Sequence, residues 1–169
     1  MVAQGGDVIP LPPPMTRALA AAAEAAEAGE VPVGAVVTCA GEVIAVAANA
    51  PRRLHDPTAH AEILAIRAAA VALGRERLED CDLWVTLEPC AMCAGAIAHA
   101  RIGRLYYAAT DPKGGAVEHG PRFFGQPTCH HRPEVYAGIA EAEAARLLRG
   151  FFADRRNSSG DGGEPPPGG

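Results

Sequence analysis

Short apolar runs rich in β-branched residues alternate along this chain with longer stretches whose apolar positions recur at helical spacing. Residues 33–38 and 43–48 flank Gly41 and predict a hairpin of two largely buried strands. Residues 83–87 predict a third strand, and residues 104–109, entered from Gly103, a fourth. The helix signals lie between them. Thr16 offers a cap for a helix to about Ala28, where Gly29 gives a stop. Asp56, Pro57 and Thr58 supply a cap residue and a proline at the first helical position, predicting a second helix to Leu73 ahead of Gly74. Pro89 opens a third helix through Ala100, and a last one spans about 138–156 after a Gly- and Pro-rich loop over 111–133. Helix and strand in alternation predict an α/β sandwich, and no internal repeat interrupts it.

The ends break this pattern. Residues 1–14 finish in a proline run interrupted only by Leu11 and read as a disordered arm; residues 157–169 contain no apolar residue and read as a disordered tail. The domain is therefore expected over 15–156. A chain of 169 residues, 49% hydrophobic, buries one ordinary core and hardly two. It has no apolar run long enough for a membrane span and no signal-type N-terminus, so a soluble, unexported protein is expected. Five cysteines, an odd number without framework spacing, point to reduced thiols in the cytoplasm and leave some of them for metal or catalysis. The net charge of -5 eases once the ends are set aside: residues 15–156 carry 15 basic against 17 acidic side chains. That balance permits a local basic patch but no general attraction to phosphate.

The sharpest chemical signal is His60-Ala61-Glu62 followed by Pro89-Cys90-Ala91-Met92-Cys93. Cysteines three apart at a helix start can share one zinc ion, and a helix N-terminus favours their thiolate form. His60, in the first turn of the other helix, makes a third ligand. Structural zinc sites are closed by four protein ligands, whereas three leave a position for water and so predict hydrolysis. Glu62, two residues from His60, is placed to carry the proton that the departing group needs. A Cys-x-x-Cys alone also fits a redox pair or half of a structural finger. A closed site would need another ligand from Cys39, Cys81, Cys129, His55, His99, His130 or His131, and none belongs to a second Cys-x-x-Cys.

The constellation is similar to the signature of zinc-dependent nucleobase deaminases. More narrowly, residues 30–36 (EVPVGAV), 55–63 (HDPTAHAEI), 85–95 (VTLEPCAMCAG) and 101–104 (RIGR) resemble the bacterial tRNA-specific adenosine deaminases of the cytidine/deoxycytidylate deaminase superfamily, over roughly 16–156. The resemblance implies a three-layer α/β/α cytidine-deaminase-like fold with a mixed sheet of about five strands. It implies one zinc per chain on His60, Cys90 and Cys93, with Glu62 as proton shuttle. It further implies a homodimer that hydrolyses the wobble adenosine of a tRNA anticodon stem-loop to inosine.

Asn49 stands where the family places an asparagine on the target nucleoside; by itself it also fits a turn before Ala50 and Pro51. Asp111 and Lys113 match a family loop beside the anticodon backbone, though a solvated turn suits the same residues. His131, with His130 and Arg132, falls where relatives carry RNA-contacting polar groups, in a stretch over 118–136 that departs from the family pattern. Arg149, Phe152 and Arg156 share one face of the last helix and suit base stacking with phosphate contact; Phe152, four residues from Leu148, equally suits a core. A deaminase of free guanine, cytosine or a small nucleoside needs the same metal chemistry and no RNA surface. A noncatalytic zinc-stabilised RNA-binding module is a third possibility, which Glu62 argues against.

Overall fold

The computed structural model describes residues 9–160; residues 1–8 of the expected arm and 161–169 of the expected tail lie outside them. The first helix, α1, spans Pro13–Glu27 and starts earlier than Thr16. Pro12 is its cap residue and prolines fill its first two positions, where a missing N–H costs nothing because first-turn N–H groups have no intrahelical partner. The proline run, expected to exclude a helix, launches one. Met15, Ala18, Ala21, Ala22 and Ala25 make its buried face.

Strands β1 (Gly34–Cys39) and β2 (Glu42–Ala48) form the expected hairpin, but only β1 is largely buried; β2, at the sheet edge, buries Ala45 alone. A short helix, α2 (Pro51–Leu54), follows, and the second long helix, α3, occupies Ala61–Leu73. Asp56 does not cap α3. Its Oδ1 accepts from the Thr58 backbone N–H at 2.8 Å and from the Thr58 hydroxyl at 2.7 Å, closing an isolated turn with the same chemistry a cap would use. Strand β3 (Cys81–Leu87), helix α4 (Ala91–Ala100) and strand β4 (Arg104–Ala109) come next. After a loop containing one 3₁₀ turn, a fifth strand, β5 (Glu134–Ala137), precedes helix α5 (Glu141–Ser159). That last helix begins later than position 138 and runs past 157, into the stretch expected to be a tail.

The five strands make one mixed sheet in the order β2-β1-β3-β4-β5. Side chains alternate between its faces. Ala35, Val37, Leu83, Val85, Leu105 and Tyr107 join Ala65, Ala69 and Ile97 of α3 and α4 in one core, while Val36 and Ala108 join Met15, Ala18 and Ala144 of α1 and α5 in the other. This is a three-layer α/β/α fold. Strand β5 is exposed at all four positions and is tied in by aromatic stacking: Tyr106 lies 3.8 Å from Trp84 and 4.9 Å from Tyr136, centroid to centroid.

Strand direction decides where function can sit. Strands β3, β4 and β5 are parallel, and β2, antiparallel to β1 as β1 is to β3, points the same way. The segments leaving β2 at Asn49, β3 at Glu88 and β4 at Thr110 therefore emerge at one end of the sheet, the carboxyl end where open α/β sheets bind ligands. Among the described residues no helix is long and apolar enough to cross a membrane.

Candidate active site

Two helix N-termini meet at this end. His60 is the cap residue of α3 and Cys90 that of α4; the His60 side chain does not cap its helix, and the Cys90 sulfur bonds only Cys93 of α4, so both face each other across the site. Cys93 sits three residues into the α4 start and is fully buried. His60 Nδ1 lies 3.6 Å from the Cys90 sulfur and 3.4 Å from that of Cys93. Donors at zinc–nitrogen and zinc–sulfur bond lengths on a tetrahedron stand about 3.6 Å apart, so the donor set fits a single zinc ion.

Electrostatics agree with the geometry. The Cys93 thiol hydrogen-bonds the Cys90 sulfur and, with His60 beside it, holds Cys90 down at about 4. The same bond pushes Cys93 well above the ordinary thiol range and the Cys90 sulfur raises His60. The proton between the two sulfurs thus stays on Cys93 and leaves Cys90 a thiolate, and a metal would displace it. Glu62, 4% exposed in the first turn of α3, is pushed up to about 7 mainly by burial. That is the range in which a carboxyl both takes and returns a proton at neutral pH.

A recess of about 230 Å³ opens over this group, walled by Val31, Val33, Asn49, Leu87, Asp111 and Gly114, with His60, Glu62 and Cys90 at its base. It is smaller than drug-sized ligand pockets of roughly 300–1,000 Å³ and suits one planar base. A larger hollow of about 770 Å³, bordered by Gly29, Glu30, Arg52, Arg53 and His55, is open and basic and, among the described residues, has no donor set.

The remaining expected residues divide. Asn49 reaches the recess and its Oδ1 accepts from the Ala61 N–H at 3.2 Å, so it caps α3 in place of His60. Asp111 reaches it too, and its Oδ1 orders the next turn by accepting from the backbone of Lys113 and Gly114 at 3.2 and 2.9 Å. Lys113 is exposed beside that turn. His131 stands apart, with Nε2 2.7 Å from the carbonyl of Ile102. His130 borders a different hollow, over α4, with Phe123, His99 and Arg101. Phe152 is 44% exposed and is not core; it edges a shallow hollow with Arg155 and Arg156, and Arg149 is exposed on the same helix. Arg155 Nη2 donates to the Gly29 carbonyl at 2.8 Å, tying this end of α5 to the segment that leads into Val31 and Val33.

Sequence reasoning gave no role to Glu88 or His119. Burial would raise the Glu88 carboxyl, but hydrogen bonds from Asp111 and His119 hold it below the usual carboxylate range. The signal was legible: a charged residue between a buried strand and the proline of the metal helix.

Residues 13–109 match the family model described as the cytidine and deoxycytidylate deaminase zinc-binding region. The chain is 61% identical over 142 residues to a tRNA-specific adenosine deaminase of Agrobacterium fabrum, covering 84% of this chain and 93% of that protein. A solved structure from a study of A-to-I editing by tRNA:A34 deaminases at the wobble position of transfer RNA superposes with a TM-score of 0.79 at 61% identity, over 80% of this chain and 98% of that one. A guanine deaminase of Bacillus subtilis superposes with a TM-score of 0.57 at 36% identity, over 85% and 92% of the two chains.

Proposed function

The chain belongs to the cytidine and deoxycytidylate deaminase family, and from that premise we propose that it hydrolyses adenosine to inosine at the wobble position of a tRNA anticodon. The 61% identity to a tRNA-specific adenosine deaminase, over 84% of this chain and 93% of that one, carries the choice of substrate, because the metal geometry alone is common to nucleobase deaminases. His60, Cys90 and Cys93 would hold the zinc. When bound, zinc lowers the pKa of water towards about 7 and so supplies a nucleophile at neutral pH.

The side chains then have separate tasks. Glu62 accepts a proton from the attacking water and passes it to adenine N1, making C6 electrophilic; it then takes the proton of the new C6 hydroxyl and delivers it to the 6-amino group, so that C6 becomes a carbonyl as ammonia leaves. Adenosine and water are consumed, inosine and ammonia released. Asn49, with Oδ1 engaged by Ala61, offers its Nδ2 hydrogens to the nucleoside. Asp111 and Lys113 meet the ribose and backbone next to it, and Arg149, Phe152 and Arg156 meet the flanking nucleotides. His131 serves this surface only through the loop it anchors at Ile102. A recess sized for one base requires the target to leave its stack, which an anticodon loop permits at modest cost.

Likeness to a guanine deaminase favours a second reading, hydrolysis of a free base. The two separate in one assay. The purified zinc protein is incubated with an anticodon stem-loop bearing wobble adenosine, with free adenosine, with guanine and with cytosine, and ammonia is measured. Release from the stem-loop and not from the free compounds is expected; turnover of guanine with the stem-loop untouched replaces the tRNA reading by the free-base one.

A further inference from the structure

Glu88 lies between the end of β3 and the proline that leads into α4, and its side chain is fully buried. A buried carboxylate must find hydrogen-bond donors, and here all of them come from one loop. Its Oε1 accepts from the Asp111 backbone N–H at 3.0 Å and from the His119 ring at 2.8 Å. Its Oε2 accepts from the backbone N–H groups of Val117, Glu118 and His119 at 3.2, 3.0 and 3.1 Å. The next residue repeats the attachment: the Pro89 carbonyl accepts from the Ala116 N–H at 2.9 Å. Gly115 completes the fit, since a Cβ there would lie 2.5 Å from the Asp111 carbonyl oxygen and 2.5 Å from both the Glu88 carboxyl carbon and Oε2.

The 111–119 loop is therefore wrapped around one side chain, and its leading half, Asp111 and Gly114, walls the recess. Within six residues the chain makes both attachments: 88 and 89 hold the substrate wall, and 90 and 93 are metal donors.

We infer that Glu88 is the positioning residue of the substrate pocket, fixing the 111–119 loop at a set distance from the zinc donors so that the bound nucleoside meets both. The inference rests on the adenosine reading for its substrate, and on the fold alone for the loop. Glu88 also borders the recess, but its carboxylate is fully buried and taken up by the loop, so it acts on the substrate through Asp111 and Gly114. Its loss should therefore weaken substrate capture more than the chemical step.

Glu88→Gln replaces an accepting oxygen by an NH₂ group that faces backbone donors, and Gly115→Ala presses on the same contact from the loop side. Glu88→Asp keeps the charge and gives up one methylene of reach. For each holoprotein, zinc per chain, kcat and KM on the stem-loop, and the rate of proteolytic cutting within 111–119 are measured. Glu88→Gln is expected to keep its zinc, raise KM about tenfold or more while kcat falls less, and speed cutting in the loop; losing one hydrogen bond to a charged group is worth that order. Glu88→Asp should recover part of both changes, and Gly115→Ala should reproduce them. If Gly115→Ala fails to fold, the Gln and Asp pair decides. Unchanged KM and cutting in Glu88→Gln overturn the inference, as does zinc loss with collapsed kcat at constant KM, which would make Glu88 a support of α4. Should the wild-type protein deaminate a free base and not the stem-loop, the adenosine reading fails, while KM for that base and the cutting rate still decide the role of Glu88.

Discussion

At the scale of single residues, donor atoms in reach of one another do not by themselves make a reactive centre. Cys39, Asp80 and Cys81 form a second cluster of possible ligands. There, Arg75 already binds Asp80 at 2.5 Å and burial pushes the Cys81 thiol up to about 12. In the first cluster Cys90 is held near 4, two helix starts converge, and a buried carboxyl near 7 stands beside the donors. The difference is one of protonation, since a metal takes thiolates and a proton shuttle must be able to gain and lose its proton. Glu62→Gln tests that division of labour, because the amide keeps the shape and cannot carry a proton. It should retain one zinc per chain by metal analysis and bind the stem-loop, while inosine formation drops by about 10² to 10⁴ or more. Activity near that of the parent would remove Glu62 from the mechanism.

At the scale of elements, helix α1 and strand β1 approach so closely that a side chain on Gly34 would overlap the carbonyl oxygen of Ala18. The contact is backbone on backbone and has no flexible atom to yield. Gly34→Ala should destabilise the fold by about 3 kcal/mol, at the upper end of overpacking costs, read as a lower urea midpoint at unchanged slope. A midpoint within error of the parent would show that α1 can shift freely, and Val31 and Val33 of the recess with it. Such tight elements were legible in the sequence because they bury a whole face: β1, β3, β4 and the buried stripes of α1, α3 and α4 lie where apolar periodicity put them, while β2, though placed correctly, is an edge strand that buries only Ala45. What escaped has no buried face to report. Strand β5 is exposed throughout and is placed by Tyr136 stacking on Tyr106, a contact made across 30 residues of chain. Asp56 and the prolines at 12–14 misled for a related reason, since caps, turns and helix starts use the same chemistry and only the tertiary setting chooses between them. The metal donors and Glu62 were legible from spacing, whereas the role of Glu88 required the fold to bring a loop 23 to 31 residues away onto its carboxylate.

At the scale of the whole molecule, a chain of net charge -5 must concentrate its cations to hold RNA. Exposed cations lie on three segments: Arg149, Arg155 and Arg156 along α5, Arg52 and Arg53 on α2, and Lys113 beside the recess. The Arg155 bond to Gly29 brings the end of α5 towards the segment that carries Val31 and Val33, so one bound strand can touch both. Phosphate contacts release counterions and base contacts do not, which lets a salt series sort the residues by role. On one stem-loop, Lys113→Ala, Arg149→Ala and Arg156→Ala should each weaken binding and flatten the plot of log affinity against log salt by about 0.7, the value for one contact on a single strand. Asn49→Ala should leave that slope unchanged and depress turnover, because an uncharged amide at the recess displaces no counterion. The same titration on the parent gives the number of contacts. A slope near zero, with all three charge variants binding as the parent does, would leave α5 without a nucleic-acid partner and the recess as a site for free bases.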